Sequence, residues 1–258
     1  MKVSVITCTW NSVATLAATI DSVQAQDYPN VEHLFVDGGS SDGTLDMIAV
    51  RCPYAVVVRG VFGGISRAMN AGIEAASGEV IAHLHSDDYY LAPDVLGRAA
   101  RVLEESGRDW LIGRTVNDVD GRLESVAKPR SSYSPTSFAQ GQYFIPHPAT
   151  FVRRVVFERV GVFDERLRYA MDVDLWLRIG AAGIVPAEVD DCLAVFRMHS
   201  GSLSNANAMA SMRECYRVNL RHAGHWPLSF TKFSARYAYR FVRRYVLERR
   251  ATSRRRST

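Results

Sequence analysis

Apolar positions in the first ninety residues fall into two patterns. Short continuous runs rich in β-branched residues have the length and composition of strands, and they occupy residues 3–9, 32–36 and 55–58. Between them, apolar side chains recur every three or four residues, which predicts helices. The first helix would begin directly after the turn Trp10-Asn11-Ser12 and carry Val13, Leu16, Ile20 and Val23. The second would begin near Leu45, after a turn that offers polar caps. Strands alternating with helices predict βαβ units and a parallel, open α/β sheet.

Polar side chains stand where each predicted strand ends. Thr7, Thr9 and Asn11 close the first strand, and Asp37 opens a glycine-rich turn after the second. A fourth apolar run, residues 79–84, is soon followed by two acids. Because the carboxyl ends of parallel strands share one edge, where open sheets bind ligands, we expect these groups to form a nucleotide-binding edge.

The two acids, Asp87 and Asp88, are adjacent in the chain. Neighbouring carboxylates repel each other unless a positive group lies beside them, so the pair favours a hard cation such as Mg²⁺ or Mn²⁺, which would in turn bind phosphate. The alternative is that they are turn residues before the helix predicted after Pro93. The polar groups upstream favour the metal.

Two common nucleotide motifs are missing from the chain. No G-x-G-x-x-G follows the first strand, and no Gly-Lys-Ser/Thr is present. The sequence therefore argues against hydride transfer and against ATP hydrolysis.

Four motifs, in this order and at these intervals, carry a resemblance to a known family: residues 7–11, 36–44, 68–73 and 86–88. Together they resemble glycosyltransferase family 2. The resemblance implies an α/β fold of the GT-A type, a mixed and mainly parallel sheet flanked by helices. It also implies a nucleoside-diphosphate-sugar donor, a divalent metal and inversion at the anomeric carbon.

The resemblance also implies roles for residues on the donor side. Thr7, Thr9 and Asn11 would line the nucleoside pocket, and Asp37 would accept a hydrogen bond from the base. Arg67 has two interpretations of equal weight: a charge clamp on the diphosphate, or a solvated helix residue.

Metal ligands follow from the same resemblance. Asp88 would bind the metal, and Asp87 would lie near the ribose or the metal. His199, in an Arg-x-His stretch, would add a metal or diphosphate contact, and imidazole is an acceptable Mn²⁺ ligand. His85 replaces the acid or Asn of many relatives, and a structural role is favoured for it over a place beside the metal.

An inverting transferase needs a general base to take the proton of the acceptor hydroxyl. By resemblance Asp172 is that base, in a segment where an acid begins a helix that reads Asp-x-Asp-Leu-Trp. The alternative makes Asp172 a first-turn acid favoured by the helix dipole. Trp176 is either core or a wall of the donor and acceptor site, and His147, between two prolines, is a weaker candidate for the acceptor cleft.

Length and cysteine content bound the organisation. With 258 residues, 47% of them hydrophobic, one catalytic domain is expected over residues 1–225. Its residues 1–110 would bind the donor, and residues 111–225 would bind the acceptor and carry the base. The four cysteines show no C-x-x-C spacing, which predicts reduced thiols and a cytoplasmic protein. No apolar run suits a signal peptide or a membrane span.

The remaining residues, 226–258, are predicted to form a basic amphipathic helix and tail. Residues 232–258 carry ten Lys and Arg against Glu248 alone, although the whole chain has a net charge of only +4. Such a helix is typical of a membrane-surface anchor, here on the inner face of the cell membrane. The alternative, nearly as strong, is docking on the catalytic domain; nucleic acid is disfavoured because no recognition motif accompanies the arginines.

The sequence thus predicts a metal-dependent, inverting transferase that moves a sugar from a nucleoside-diphosphate sugar to a hydroxyl. A glycan or lipid-linked acceptor, in cell-surface polysaccharide or glycolipid synthesis, is the expected partner. One alternative is a sugar-phosphate nucleotidyltransferase, although such enzymes carry a basic glycine-rich loop after the first strand that is absent here. The other is a non-catalytic nucleotide-binding partner of another transferase.

Overall fold

A single mixed sheet organises the chain, which the computed structural model describes over residues 1–126, 132–198 and 207–255, with backbone only from residue 244. Its strands are β1 Val3–Thr9, β2 Val31–Asp37, β3 Val56–Arg59, β4 Val80–His83, β5 Tyr89–Tyr90, β6 Trp110–Val119, β7 Arg122–Ser125, β8 Thr150–Arg153 and β9 Ala187–Met198. The described helices are α1 Leu16–Gln24, α2 Thr44–Arg51, α3 Ile65–Ala75, α4 Val95–Ser106, α5 Pro135–Ala139, α6 Arg154–Val160, α7 Met171–Ala181, α8 Ala208–Arg221 and α9 Pro227–Arg255.

The strand order is β3-β2-β1-β4-β8-β6-β9-β5, with β7 paired to β6. The first four strands are parallel, and β9 runs parallel to β6, whereas β8 lies antiparallel between β4 and β6. The chain moves outward from β1 to β3 and then returns to β4 on the other side of β1. This reversal creates the switch point at which open α/β sheets bind ligands.

Helices cover both faces of the sheet. On one face, α3 packs over Ile6, Leu34 and Val36, all fully buried, and residues of α7 belong to the same core. On the other face, α1 and α4 cover Val3 and Val5. Strand β1 is therefore buried along its whole length, which explains its continuous apolar run. The predicted mixed, mostly parallel sheet flanked by helices is confirmed.

Three boundaries differ from the predicted ones. Helix α1 begins at Leu16, several residues after the predicted turn, because the N–H groups of Ser12 and Val13 bond to Thr44 and Asp42 instead. Gly43, in a left-handed conformation (φ 93°), precedes α2 where a polar cap was expected. Strand β4 ends at His83, so Asp87 and Asp88 lie in the following loop rather than at the strand end.

Reduced cysteines and the lack of a membrane span were also expected from the sequence. Cys8, Cys52, Cys192 and Cys215 are all free thiols. Among the described helices, none combines the length and the apolar character that crossing a bilayer requires.

Candidate active site

The β2–α2 turn is organised by Asp37. Its two carboxylate oxygens accept hydrogen bonds from the hydroxyls of Thr9 (2.9 Å) and Ser40 (2.5 Å) and from the N–H groups of Gly39 and Ser40 (both 2.9 Å). Burial alone would raise the pKa of Asp37, but these donors outweigh it and lower the pKa. Because four hydrogen bonds fill the carboxylate, Asp37 supports the turn directly, and its contact with a base stays a prediction.

The end of β1 is tied to both neighbouring loops. Asn11 adopts a left-handed conformation (φ 49°), and its side-chain oxygen accepts from the N–H of Ser41 at 2.9 Å. The hydroxyl of Ser86, just before the acid pair, lies 2.9 Å from that of Ser12. The loops after β1, β2 and β4 therefore form one connected rim, as the strand ends predicted.

Two exposed aromatic rings flank the glycines of this rim, and sequence reasoning assigned neither a role. Trp10 is 71% exposed and Phe62 66% exposed. A Cβ placed on Gly38 would lie 3.6 Å from Cδ1 of Trp10, and one on Gly39 would lie 2.5 Å from Cε1 of Phe62. Both rings thus lie against a glycine backbone with a face open to a flat ligand. Exposure was the missing signal, and it depends on the tertiary fold.

The acid pair lies in the loop between β4 and β5. Asp88 is 1% exposed; its Oδ1 accepts from the N–H of Arg197 at 3.0 Å, and its Oδ2 has no hydrogen-bond partner among the described residues. Burial raises the pKa of Asp88 well above its ordinary value, and the charge of Asp87 adds to the effect. An unpaired buried carboxylate oxygen is costly without a cation.

The residues present fit a metal that is shared with a ligand. Among the described residues, no three His, Cys, Asp or Glu side chains form a cage that could hold a metal ion. Mg²⁺ and Mn²⁺ in phosphate-binding sites commonly take one or two carboxylates and complete their shell with phosphate oxygens and water. Asp88 matches that pattern. His199, predicted as a further ligand, lies outside the described residues, two positions after Arg197.

Three histidines extend the site from the acid loop toward α7. The ring centroid of His147 lies 5.4 Å from that of His83, 5.3 Å from that of His85 and 5.8 Å from that of Trp176. Within the part of the chain that the structure describes, one ring nitrogen of each histidine is buried without a partner, and so is Nε1 of Trp176. Burial lowers the pKa of His83 to about 3 and lowers that of His147 as well, so both rings are neutral.

Asp172 lies in the first turn of α7, four residues before Trp176 and thus on the same helix face. Its Oδ1 accepts from the N–H of Val173 at 2.7 Å, which is the local contact expected of a first-turn acid. Burial raises the pKa of Asp172 to about 6, in spite of that hydrogen bond. A carboxylate with such a pKa is suited to accept a proton near neutral pH.

Ring contacts therefore join the two predicted halves of the site. Trp176 touches His147, His147 touches His85, and His85 lies two residues before Asp87. Trp176 also stacks on Trp110, with ring centroids 5.4 Å apart, so it belongs to the core, and its place as a wall of the donor and acceptor site stays a prediction.

Two predicted donor residues are placed differently from the others. Thr7 is fully buried within β1, and its hydroxyl lies 2.9 Å from Nε2 of His33. Arg67 is exposed on the first turn of α3 and lines a separate cleft of about 650 Å³ with Asn70 and Glu165. The donor contacts of Thr7 and Arg67 therefore stay predictions.

Known proteins resemble this chain in sequence. The family model described as Glycosyl transferase family 2 matches residues 4–161. An uncharacterized glycosyltransferase of Mycobacterium tuberculosis (strain CDC 1551 / Oshkosh) is 34% identical over 179 residues, which is 68% of each chain. A PGL/p-HBAD biosynthesis glycosyltransferase of Mycobacterium bovis (strain BCG / Pasteur 1173P2) is 31% identical over 189 residues, with 68% of each chain covered.

Solved structures share the fold at lower identity. S. aureus TarS 1-349 in complex with UDP-GlcNAc has a TM-score of 0.71 and 22% identity, over 87% of this chain and 66% of the TarS 1-349 chain. The mannosyltransferase PcManGT from Pyrobaculum calidifontis, in complex with GDP-Man and Mn²⁺, has a TM-score of 0.67 and 19% identity, over 91% of this chain and 73% of that one.

Proposed function

The chain belongs to glycosyl transferase family 2, and we propose that it transfers a sugar from a nucleoside-diphosphate sugar to an acceptor hydroxyl with inversion. One observation carries the proposal. The ring contacts that run from Trp176 through His147 to His85 support a single site shared by the proposed base, Asp172, and the proposed metal ligand, Asp88. The solved relatives that hold UDP-GlcNAc or GDP-Man support a nucleotide-sugar donor.

The nucleoside would lie on the rim formed by the β1 and β2 loops. The exposed rings of Trp10 and Phe62 offer stacking surfaces for a base beside Gly38 and Gly39. The polar groups of Thr9, Asn11 and Asp37 keep this rim rigid through the hydrogen bonds described above.

Asp87 and Asp88 would hold the diphosphate through Mn²⁺ or Mg²⁺. The cation supplies positive charge that stabilises the departing nucleoside diphosphate. Asp88 contributes a buried carboxylate whose position is set by the N–H of Arg197. PcManGT, whose structure contains Mn²⁺, supports a metal of this kind.

The sugar would lie between the acid loop and α7. Asp172 would take the proton of the acceptor hydroxyl as its oxygen attacks the anomeric carbon. The bond between the sugar and the diphosphate then breaks on the opposite side, and the nucleoside diphosphate leaves.

A glycan or lipid-linked acceptor remains our proposal for the partner. The PGL/p-HBAD relative supports glycolipid synthesis as one setting. We propose that the basic end of α9 holds the protein at the inner face of the cell membrane, where such an acceptor would be found.

The test is a panel of UDP-, GDP- and dTDP-sugars, with and without Mn²⁺, read by the shift in melting temperature. A ligand that binds only the native state raises that temperature, and the effect should require both Mn²⁺ and the diphosphate. Donor hydrolysis is then followed with the stabilising sugar. If no nucleotide sugar stabilises the protein with Mn²⁺ present, the proposal fails.

A further inference from the structure

One carboxylate from α8 binds the backbone directly before α7. Glu214 accepts hydrogen bonds from the N–H groups of three consecutive residues, Arg168 (3.0 Å), Tyr169 (2.5 Å) and Ala170 (2.8 Å). The partners are 44 to 46 residues apart in sequence, so the contact is tertiary. A carboxylate that accepts several N–H groups forms charge-assisted bonds, which are stronger than neutral ones.

Helix α7 lacks a cap of its own. Its N-cap residue, Ala170, has no side chain that can accept a hydrogen bond, whereas such positions usually carry Ser, Thr, Asp or Asn. The negative charge of Glu214 near this helix N-terminus also complements the helix dipole. Glu214 binds the three amides directly before the helix rather than those of its first turn, so it fixes the backbone that leads into α7.

The rest of the loop is fixed to α3. Asn70 exchanges two hydrogen bonds with the backbone of Phe163, and the hydroxyl of Ser66 donates to the carbonyl of Leu167 at 2.7 Å. These contacts stop at Leu167, and those of Glu214 begin at Arg168. Asp172 follows only two residues after the last amide that Glu214 binds.

We propose that Glu214 is a positioning residue for sugar transfer, because its carboxylate fixes the backbone that leads to Asp172 and Trp176 on α7. This inference rests on the proposed function. Glu214 is not a catalytic residue, since its oxygens are taken up by the three amides. The charge of Glu214 also repels that of Asp172 and favours the protonated form of Asp172. Cys215, from the same helix, is a further titratable neighbour of Asp172.

The experiment compares Glu214→Ala and Glu214→Gln with the wild type. The matched control is Glu165→Ala, because Glu165 lies in the same loop but, among the described residues, accepts only from the side chain of Asn70. Hydrogen exchange is read at the amides of Arg168, Tyr169 and Ala170. We expect exchange to be roughly tenfold faster or more in Glu214→Ala, and unchanged in Glu165→Ala. Unchanged protection in Glu214→Ala overturns the proposal.

Kinetics with the donor found in the panel give a second readout. We expect kcat to fall about tenfold to a hundredfold in Glu214→Ala while the donor KM stays within about twofold, because a misplaced base slows chemistry and not donor binding. In Glu214→Gln, which keeps one acceptor oxygen, the acidic limb of the pH profile should move to lower pH because a neighbouring negative charge is lost. An unmoved limb together with an unchanged kcat contradicts positioning.

The two readouts separate this inference from the proposed function. Exchange needs no substrate, so it reports on Glu214 whatever reaction the protein performs. A normal turnover in Asp172→Asn would remove the base assignment, and positioning of that base with it, while leaving the exchange result as it stands. If Glu214→Ala does not fold, Glu214→Gln carries both measurements.

Discussion

The protonation of Asp172 is expected to make the reaction rate depend on pH. Burial raises its pKa to about 6, although the N–H of Val173 acts in the opposite direction. Since a general base works deprotonated, we expect kcat/KM to fall about tenfold for each pH unit below about pH 6. Initial rates measured from about pH 5 to pH 8 check this. Asp172→Asn should lower the rate by about 10²–10⁴-fold and abolish the limb.

The same shift has a consequence for stability. Because the pKa of Asp172 is higher in the folded protein than in the unfolded chain, the proton binds the folded state more tightly. Its contribution to stability is complete below about pH 4 and is lost as the pH rises through about 6. Urea unfolding of the wild type and of Asp172→Asn across this window should reveal the difference. A contribution of opposite sign would contradict the buried environment.

Asp88 makes the metal assignment testable. We expect Asp88→Asn to lose the Mn²⁺-dependent increase in melting temperature. Without metal, the variant should be more stable than the wild type near pH 8, by about 1–3 kcal/mol, because an unpaired buried charge has been removed. Asp94→Asn, an exposed acid at the start of α4, is the control and should keep the Mn²⁺ effect. An undiminished Mn²⁺ effect in Asp88→Asn would refute the assignment.

At this scale, the sequence was informative where a residue type is rare in its context. Asp37, Asp88 and Asp172 stood out because acids at strand or helix ends are conspicuous among apolar neighbours. Trp10 and Glu214 did not, because an exposed indole or a glutamate in a helix is ordinary until its tertiary neighbours are known. Neither exposure nor a contact 44 residues away can be obtained from periodicity.

Two helical glycines, Gly72 in α3 and Gly97 in α4, differ in the space around them. A Cβ on Gly72 would lie 2.4 Å from Cγ2 of Ile6, whereas one on Gly97 meets nothing closer than 3.6 Å. We expect Gly72→Ala to destabilise the protein by about 1–3 kcal/mol through overpacking against β1. Gly97→Ala should stabilise it by about 0.5–1 kcal/mol through helix propensity. Urea midpoints at equal m-value decide both, and a stabilising Gly72→Ala would contradict the packing.

The N-terminal strands and helices were predicted well from the sequence. In βαβ units a strand is buried on both faces, which gives a continuous apolar run, and a helix is buried on one face, which gives apolar residues at helical spacing. The late start of α1 was not predicted, since the N–H groups of Ser12 and Val13 bond across the rim. The short strand β5 was also missed: two residues pair with β9 only because the chain brings Tyr89 beside Val195. Pairing between distant segments leaves no local pattern.

The contacts of α9 bear on whether the basic C-terminal helix docks on the catalytic domain or binds a membrane. Phe233 is buried, and Tyr216 of α8 contacts the rings of Phe230, Phe233 and Tyr237. The aromatic side of the first half of α9 therefore packs on the protein, as the docking alternative stated. Membrane attachment would then depend on charge, with the basic residues beyond this half as the contact.

A truncation tests that division. Removing residues 244–258 should leave the melting temperature within about 2 °C, because the aromatic contacts remain, but should abolish sedimentation with vesicles that contain phosphatidylserine. Neutral phosphatidylcholine vesicles are the control, and added salt should weaken binding of the full chain. Equal binding by the truncated protein would exclude the tail as the anchor.

The hydrogen bond from Arg197 to Asp88 spans 109 residues and joins β9 to the acid loop. The family model ends at residue 161, so a fragment cut there would retain each donor motif yet lose this bond, along with α7 and its Asp172. Such a fragment would keep the sequence motifs of the family without the assembled site. Inheritance of the motifs and possession of the activity are, in this fold, separate properties.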